Sequence, residues 1–140
     1  MRLPNWEAEF DDVLRLWRVL PYDRTTTNCL LMIRAAAIAM TGVDPLLETG
    51  MSINDVMTPV GLARCVARCG GVIGVVDTCL KVRLPPLLAQ KGDALMLAEQ
   101  DESGERPFGL HDGQHGIFRS DAGVTVRPLS AVQLAWRVGL

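Results

Sequence analysis

Six side chains carry most of the nucleophilic and metal-binding chemistry open to this chain: Cys29, Cys65, Cys69, Cys79, His111 and His115. A cysteine nucleophile needs a thiolate, an imidazole to take its proton, and a third group to orient that imidazole. Cys29 meets the first need in part. It follows Thr27 and Asn28, both good helix N-caps, and it opens the apolar run CLLMIRAAAIAM. The free N–H groups and positive end of such a helix lower a thiol pKa. The imidazole is harder to supply. Both histidines lie in HDGQHG, which has the composition of an exposed hairpin turn.

The other cysteines point to packing. Cys65 and Cys69 form a C-x₃-C pair on one face of an expected helix, and Cys79 follows. Two ligands can be spaced that way, but zinc ribbons and ferredoxin-type sites use tighter loops in pairs. The pair falls on the apolar face, where cysteine behaves as a small hydrophobe. No cofactor is expected, and a metal at Cys65, Cys69 and Cys79 is left open. Glu7, Glu9, Asp11 and Asp12 read as a solvated helix face rather than a pair of catalytic acids. Asp93, in Gly92-Asp93, reads as turn chemistry at the start of a strand, and Trp136 as a core anchor.

The elements that would position these groups follow from periodicity. Trp6, Phe10, Val13, Leu14 and Trp17 recur at helical spacing, with Asn5 as cap and Pro21 as stop. A polar stretch, PYDRTTTN, leads into the buried helix that begins at Cys29 and ends at Thr41-Gly42. Residues 43–55 read as a loop with at most one helical turn. Thr58-Pro59 opens a helix that stops near Gly70-Gly71. Residues 72–84 are β-branched and fit either a strand or a helix. Strands are expected in GDALMLAE, FGLHDG, HGIFRS and VTVRP, and LSAVQLAWRV should give a helical turn and a last strand. Helices first and antiparallel strands second is an α+β order, in one domain spanning 1–140.

Composition narrows the partners. Hydrophobic residues make up 49% and charged residues 21%, a globular balance, and the formal charge is −2 without a basic block. Nucleic acid is therefore not expected as a partner, because phosphate neutralisation needs clustered cations. No apolar run approaches the length of a membrane span, and the N-terminus turns acidic where a signal peptide would be apolar. Synthesis and folding in the cytoplasm are expected, with the cysteines as thiols.

A cysteine opening a buried helix, followed by a Gly-Asp strand and short antiparallel strands, resembles the papain-like NlpC cysteine peptidases. The chain is still more similar to a related family of phage tail-associated proteins. The resemblance rests on Trp6 and Trp17, Pro21-Tyr22 before Cys29, Thr41-Gly42-Val43-Asp44-Pro45, Gly70-Gly71, Gly92-Asp93-Ala94-Leu95 and Ala135-Trp136-Arg137-Val138. It spans nearly the whole chain in the family's order. There are departures. The family's Trp-Gly is Arg24-Thr25, its Asp before the cysteine is Asn28, and its general-base histidine is replaced at Pro107-Phe108-Gly109 by proline.

The resemblance implies an NlpC-type topology and a place in the virion tail, synthesised in the host cytoplasm. The lost base implies a degenerate peptidase. Its expected role is that of a tail-tip or baseplate component docking to the hub or the distal-tail ring, with copy number open. The alternative is an active peptidase or amidase cutting cell-wall peptide. There Cys29 would be nucleophile, with His111 as base, since it shares the face of Pro107 in a regular strand.

Overall fold

The helical periodicity of the N-terminus becomes α1 (Trp6–Val19) in the computed structural model, which describes residues 1–139. It buries Phe10, Leu14 and Trp17. Asn5 takes the cap position without the expected capping bond; its amide donates to Glu9 instead. The start of α1 thus relies on packing and on Glu7 and Glu9 beside the positive helix end. Helix α2 (Cys29–Thr41) is the central element, burying Leu31, Met32, Ile33, Ala36, Ala37 and Met40. Asn28 caps it by accepting the Leu31 N–H at 2.9 Å, and Gly42 ends it at φ 75°, a left-handed value that costs glycine little.

Residues 43–55 are more ordered than a loop. They form a 3-10 turn at Pro45–Thr49, capped by Asp44, and α3 (Ile53–Val56), started by a capping box between Ser52 and Asp55. Helix α4 (Pro59–Arg68) is capped by Thr58, with Pro59 in the first turn. The ambiguous 72–84 stretch contains both structures, α5 (Val72–Leu80) and then β1 (Arg83–Leu84). Valine's strand preference loses here to burial of Val75 and Val76 in the helical layer.

The remaining strands are β2 (Ala94–Leu97), β3 (Phe108–His111), β4 (Gly116–Ser120), β5 (Gly123–Arg127) and β6 (Val132–Trp136). Among the described residues five α-helices precede one six-stranded sheet, every pairing antiparallel, in the order β1-β6-β2-β3-β4-β5. The fold is α+β. No single described helix is long and apolar enough to cross a membrane.

The two sheet faces differ. Ala94, Met96, Phe108, Leu110 and Trp136 join α1, α2, α4 and α5 in the main core. On the other face Leu95, Leu97, Phe118, Val132 and Ala135 form a smaller cluster with Ala89. Gly109 and Gly116 lie under the Phe118 ring, which a Cβ at either position would overlap. The sheet edge is tied down by Asp77, which accepts from the Trp136 indole at 2.8 Å and from two of the three Arg83 guanidinium nitrogens.

A second tie fixes the N-terminus. Arg2 donates to Asp93 at 2.9 Å, to the Lys91 carbonyl and to the Val138 carbonyl, and stacks over Trp6. Asp93 is fully buried and also accepts from the Gln90 and Val138 N–H groups. The turn chemistry expected of Asp93 is present in the Gln90 bond. The buried ion pair was not foreseen.

Candidate functional site

The segment between α1 and α2 organises itself around short polar side chains. The Asp23 carboxylate accepts from Thr25 and Thr26, and Thr27 donates its hydroxyl to the Pro21 carbonyl at 2.6 Å. Asn28, besides capping α2, donates its amide to the Arg24 carbonyl at 2.7 Å. One asparagine therefore both starts the helix of Cys29 and holds the loop in front of it.

Arg119 closes that loop from the sheet. It is 2% exposed, projects from β4 to the helical side, and donates to the carbonyls of Thr27 (2.8 Å), Trp17 and Leu20. Its guanidinium also lies 5.5 Å from the Trp17 ring centre. Among the described residues no carboxylate pairs with it. The cation is balanced by the carbonyls at the negative end of α1 and in the following loop.

Cys29 sits beside this arrangement. As a residue it is half-buried, but burial of its sulfur dominates and pushes the thiol up to about 11. The backbone N–H groups of Phe108 and Leu30 act in the opposite direction, and the Glu105 carboxylate adds to the rise. Desolvation thus overcomes the helix end. At neutral pH only about one Cys29 in 10⁴ would be thiolate.

The two histidines are elsewhere. Alternation along β3 sends Phe108 and Leu110 toward the helices and Gly109 and His111 to the opposite face. The expectation of an exposed turn residue fails for His111, which is 5% exposed within the sheet. Its Nδ1 accepts the Gly113 N–H at 2.9 Å, which keeps the ring neutral, and burial lowers its pKa. His115 is exposed in the turn. Cys29 and His111, paired in the peptidase alternative, are not brought together. Pro107 lies next to Phe108, whose N–H faces the Cys29 sulfur, and it has no proton acceptor to offer.

Two exposed loops meet near the thiol, where Arg24 pairs with Glu105 at 2.8 Å. Behind α2 lies an apolar cavity of about 50 Å³, lined among others by Asn28, Leu31, Leu46, Val76, Cys65 and Cys79. All four cysteines are free. Burial pushes Cys65 up and Cys79 up to about 12, so both act as hydrophobic filler. Among the described residues no group of three or more His, Cys, Asp or Glu side chains is arranged to hold a metal ion.

Sequence reasoning identified Cys29 and its cap but not Arg119, the most constrained polar group at the site. Its one signal is a lone arginine inside the apolar strand GIFRS.

No curated protein and no solved structure matches the chain. Residues 1–138 match the family described as a domain of unknown function, DUF6950, and the chain belongs to that family.

Proposed function

We propose that the protein is a structural component of a phage or prophage tail tip or baseplate, built on an NlpC-like peptidase fold that no longer cuts peptide bonds. The observation that carries this reading is the separation of Cys29 from both imidazoles, with its thiol protonated and Arg119 anchoring the loop before it. A cysteine at the start of a buried helix, packed on an antiparallel sheet, is what a papain-like ancestor would leave behind. The tail setting rests on the motifs from Trp6 to Val138 described above. Leu87 and Leu88, 76% and 62% exposed on the turn after β1, offer apolar surface to a neighbouring tail protein.

The test is genetic and biochemical. Cys29→Ala in a phage carrying this protein should leave tail assembly and infectivity unchanged, and the protein should be found in purified virions. Cell-wall peptide hydrolysis by the purified chain, abolished by Cys29→Ala or His111→Ala, would overturn the reading in favour of a peptidase. Virions lacking the protein would assign it to assembly instead.

A further inference from the structure

Two thiols away from the candidate site belong to a single turn of one helix. Cys65 lies near the end of α4 and Cys69 is its cap residue, and the Cys69 N–H donates to the Cys65 carbonyl at 3.1 Å. That bond closes a regular helical turn, so the two Cα atoms are about 6 Å apart, within the range a disulfide spans. The side chains share a face. Both pack into the main core, and the two thiols are hydrogen-bonded to each other. Cys65 is 2% exposed and Cys69 half-buried, so one sulfur is enclosed and the other can be reached. Beside Cys69, Gly70 and Gly71 border open space, with nothing within 4 Å of where a Cβ would stand.

We propose that Cys65 and Cys69 form a dithiol–disulfide couple, closed by a small-molecule disulfide and reopened by thiols. The more exposed member reacts first. Cys69 gives up its proton and its sulfur attacks one sulfur of the oxidant, releasing one thiol and leaving a mixed disulfide. The Cys65 sulfur, already in contact, then loses its proton and attacks the Cys69 sulfur. The Cys65–Cys69 bond forms, the mixed disulfide breaks, and a second thiol leaves. Two protein thiols are oxidised and one external disulfide is reduced, with both protons ending on the released thiols. Burial holds back the Cys65 thiolate, and the contact offsets this by making the second step intramolecular.

Cys79 is the competing partner. It lines the cavity with Cys65 but belongs to α5, and only Cys65 and Cys69 share a helical turn. The Cys65–Cys69 bond is a labile one. Side chains one turn apart have Cβ atoms about 5–6 Å apart, whereas a disulfide holds them near 3.5–4.5 Å. Cys69 must therefore move inward, and a bond closed under tension is easily reduced. Gly70 and Gly71, at φ 80° and 126°, follow directly and give the chain room to adjust. The movement reaches α5. The Cys69 carbonyl packs on Gly74, where a Cβ would come within 1.9 Å of it, so shifting Cys69 shifts the start of that helix. The couple is independent of Cys29 and of the tail assignment.

Mass spectrometry of the full chain tests this. Folded, reduced protein is incubated with glutathione disulfide at about pH 8, where more thiolate is present, and free thiols are then blocked with N-ethylmaleimide. Trypsin and an aspartate-specific protease cut after Arg64, Arg68 and Lys81 and before Asp77, placing the three cysteines on peptides 65–68, 69–76 and 77–81. Wild type should yield 65–68 joined to 69–76, with Cys79 blocked as a free thiol and the link removed by dithiothreitol. Cys69→Ser should melt like wild type and leave 65–68 unlinked. A link from 65–68 to 77–81 overturns the inference. So does a glutathione adduct on Cys69 that never closes, or a Cys65 thiol that stays free.

Discussion

The Arg119 side-chain Nε donates to the Thr27 carbonyl at 2.8 Å, so a cation on the fourth strand fixes the backbone two residues before Cys29. The same guanidinium reaches Trp17 and Leu20, which makes it the joint between α1, the following loop and the sheet. Arg119→Met would fill the space but strand three carbonyls. Hydrogen bonds to charged groups are worth about 1.5–3 kcal/mol each, so the variant should lose roughly 3 kcal/mol or more in urea unfolding. Arg119→Lys, with a compact head that cannot reproduce the planar fork, should fall between. A methionine variant as stable as wild type would sink this account.

Cys29 should be a sluggish thiol. With its pKa near 11, it holds on the order of 100-fold less thiolate at pH 7 than an ordinary cysteine. Site-resolved alkylation with iodoacetamide, read by mass spectrometry, should show Cys29 reacting slowly at pH 7 and rising toward pH 11. A fast reaction at pH 6–7 would mean that a base activates it.

Asp93 should be the most sensitive acid in the protein. It is buried, accepts two backbone N–H groups and holds Arg2, whose other bonds reach Lys91 and Val138. Removing one partner of a buried pair typically costs about 3–5 kcal/mol, and Asp93→Ala should fall in that range. In a double-mutant cycle with Arg2→Ala the two changes should cost less together than their sum, because each destroys the same contact. Strict additivity would show that the pair does not hold the terminus.

The uneven legibility of this sequence follows from what signals a side chain leaves. Asn28, Gly42 and Thr58-Pro59 act within a turn of their own position, so the start of α2, its end and the start of α4 could be read directly. The order of helices then strands was readable for the same reason. The helix at Val72–Leu80 was not, because its valines suit either period and only packing against the rest of the helical layer decides. Arg119 was invisible in a stronger sense. Its partners are backbone carbonyls of Trp17, Leu20 and Thr27, and a carbonyl has no residue type. The Arg2–Asp93 pair joins positions 91 residues apart, a distance over which no local rule operates.

His111 should make the protein acid-sensitive above the range where carboxylates titrate. Burial is the largest influence on its ring and lowers the pKa below the usual 6.5, against the opposing pull of Asp112 and Asp93. The folded state therefore takes up the proton later than the unfolded state as pH falls. By linkage the contribution of His111 to stability is complete above about pH 6.5 and is lost as pH falls below it, down to the folded pKa. Protonation at Nδ1 would also cost the Gly113 bond, loosening the β3–β4 turn. His111→Asn tests this cleanly, since an asparagine oxygen can accept the Gly113 N–H without titrating. Wild type should show a melting temperature that drops between pH 7 and pH 5, and the asparagine variant a flatter profile over that interval. Equal slopes in the two proteins would assign the acid sensitivity to other groups.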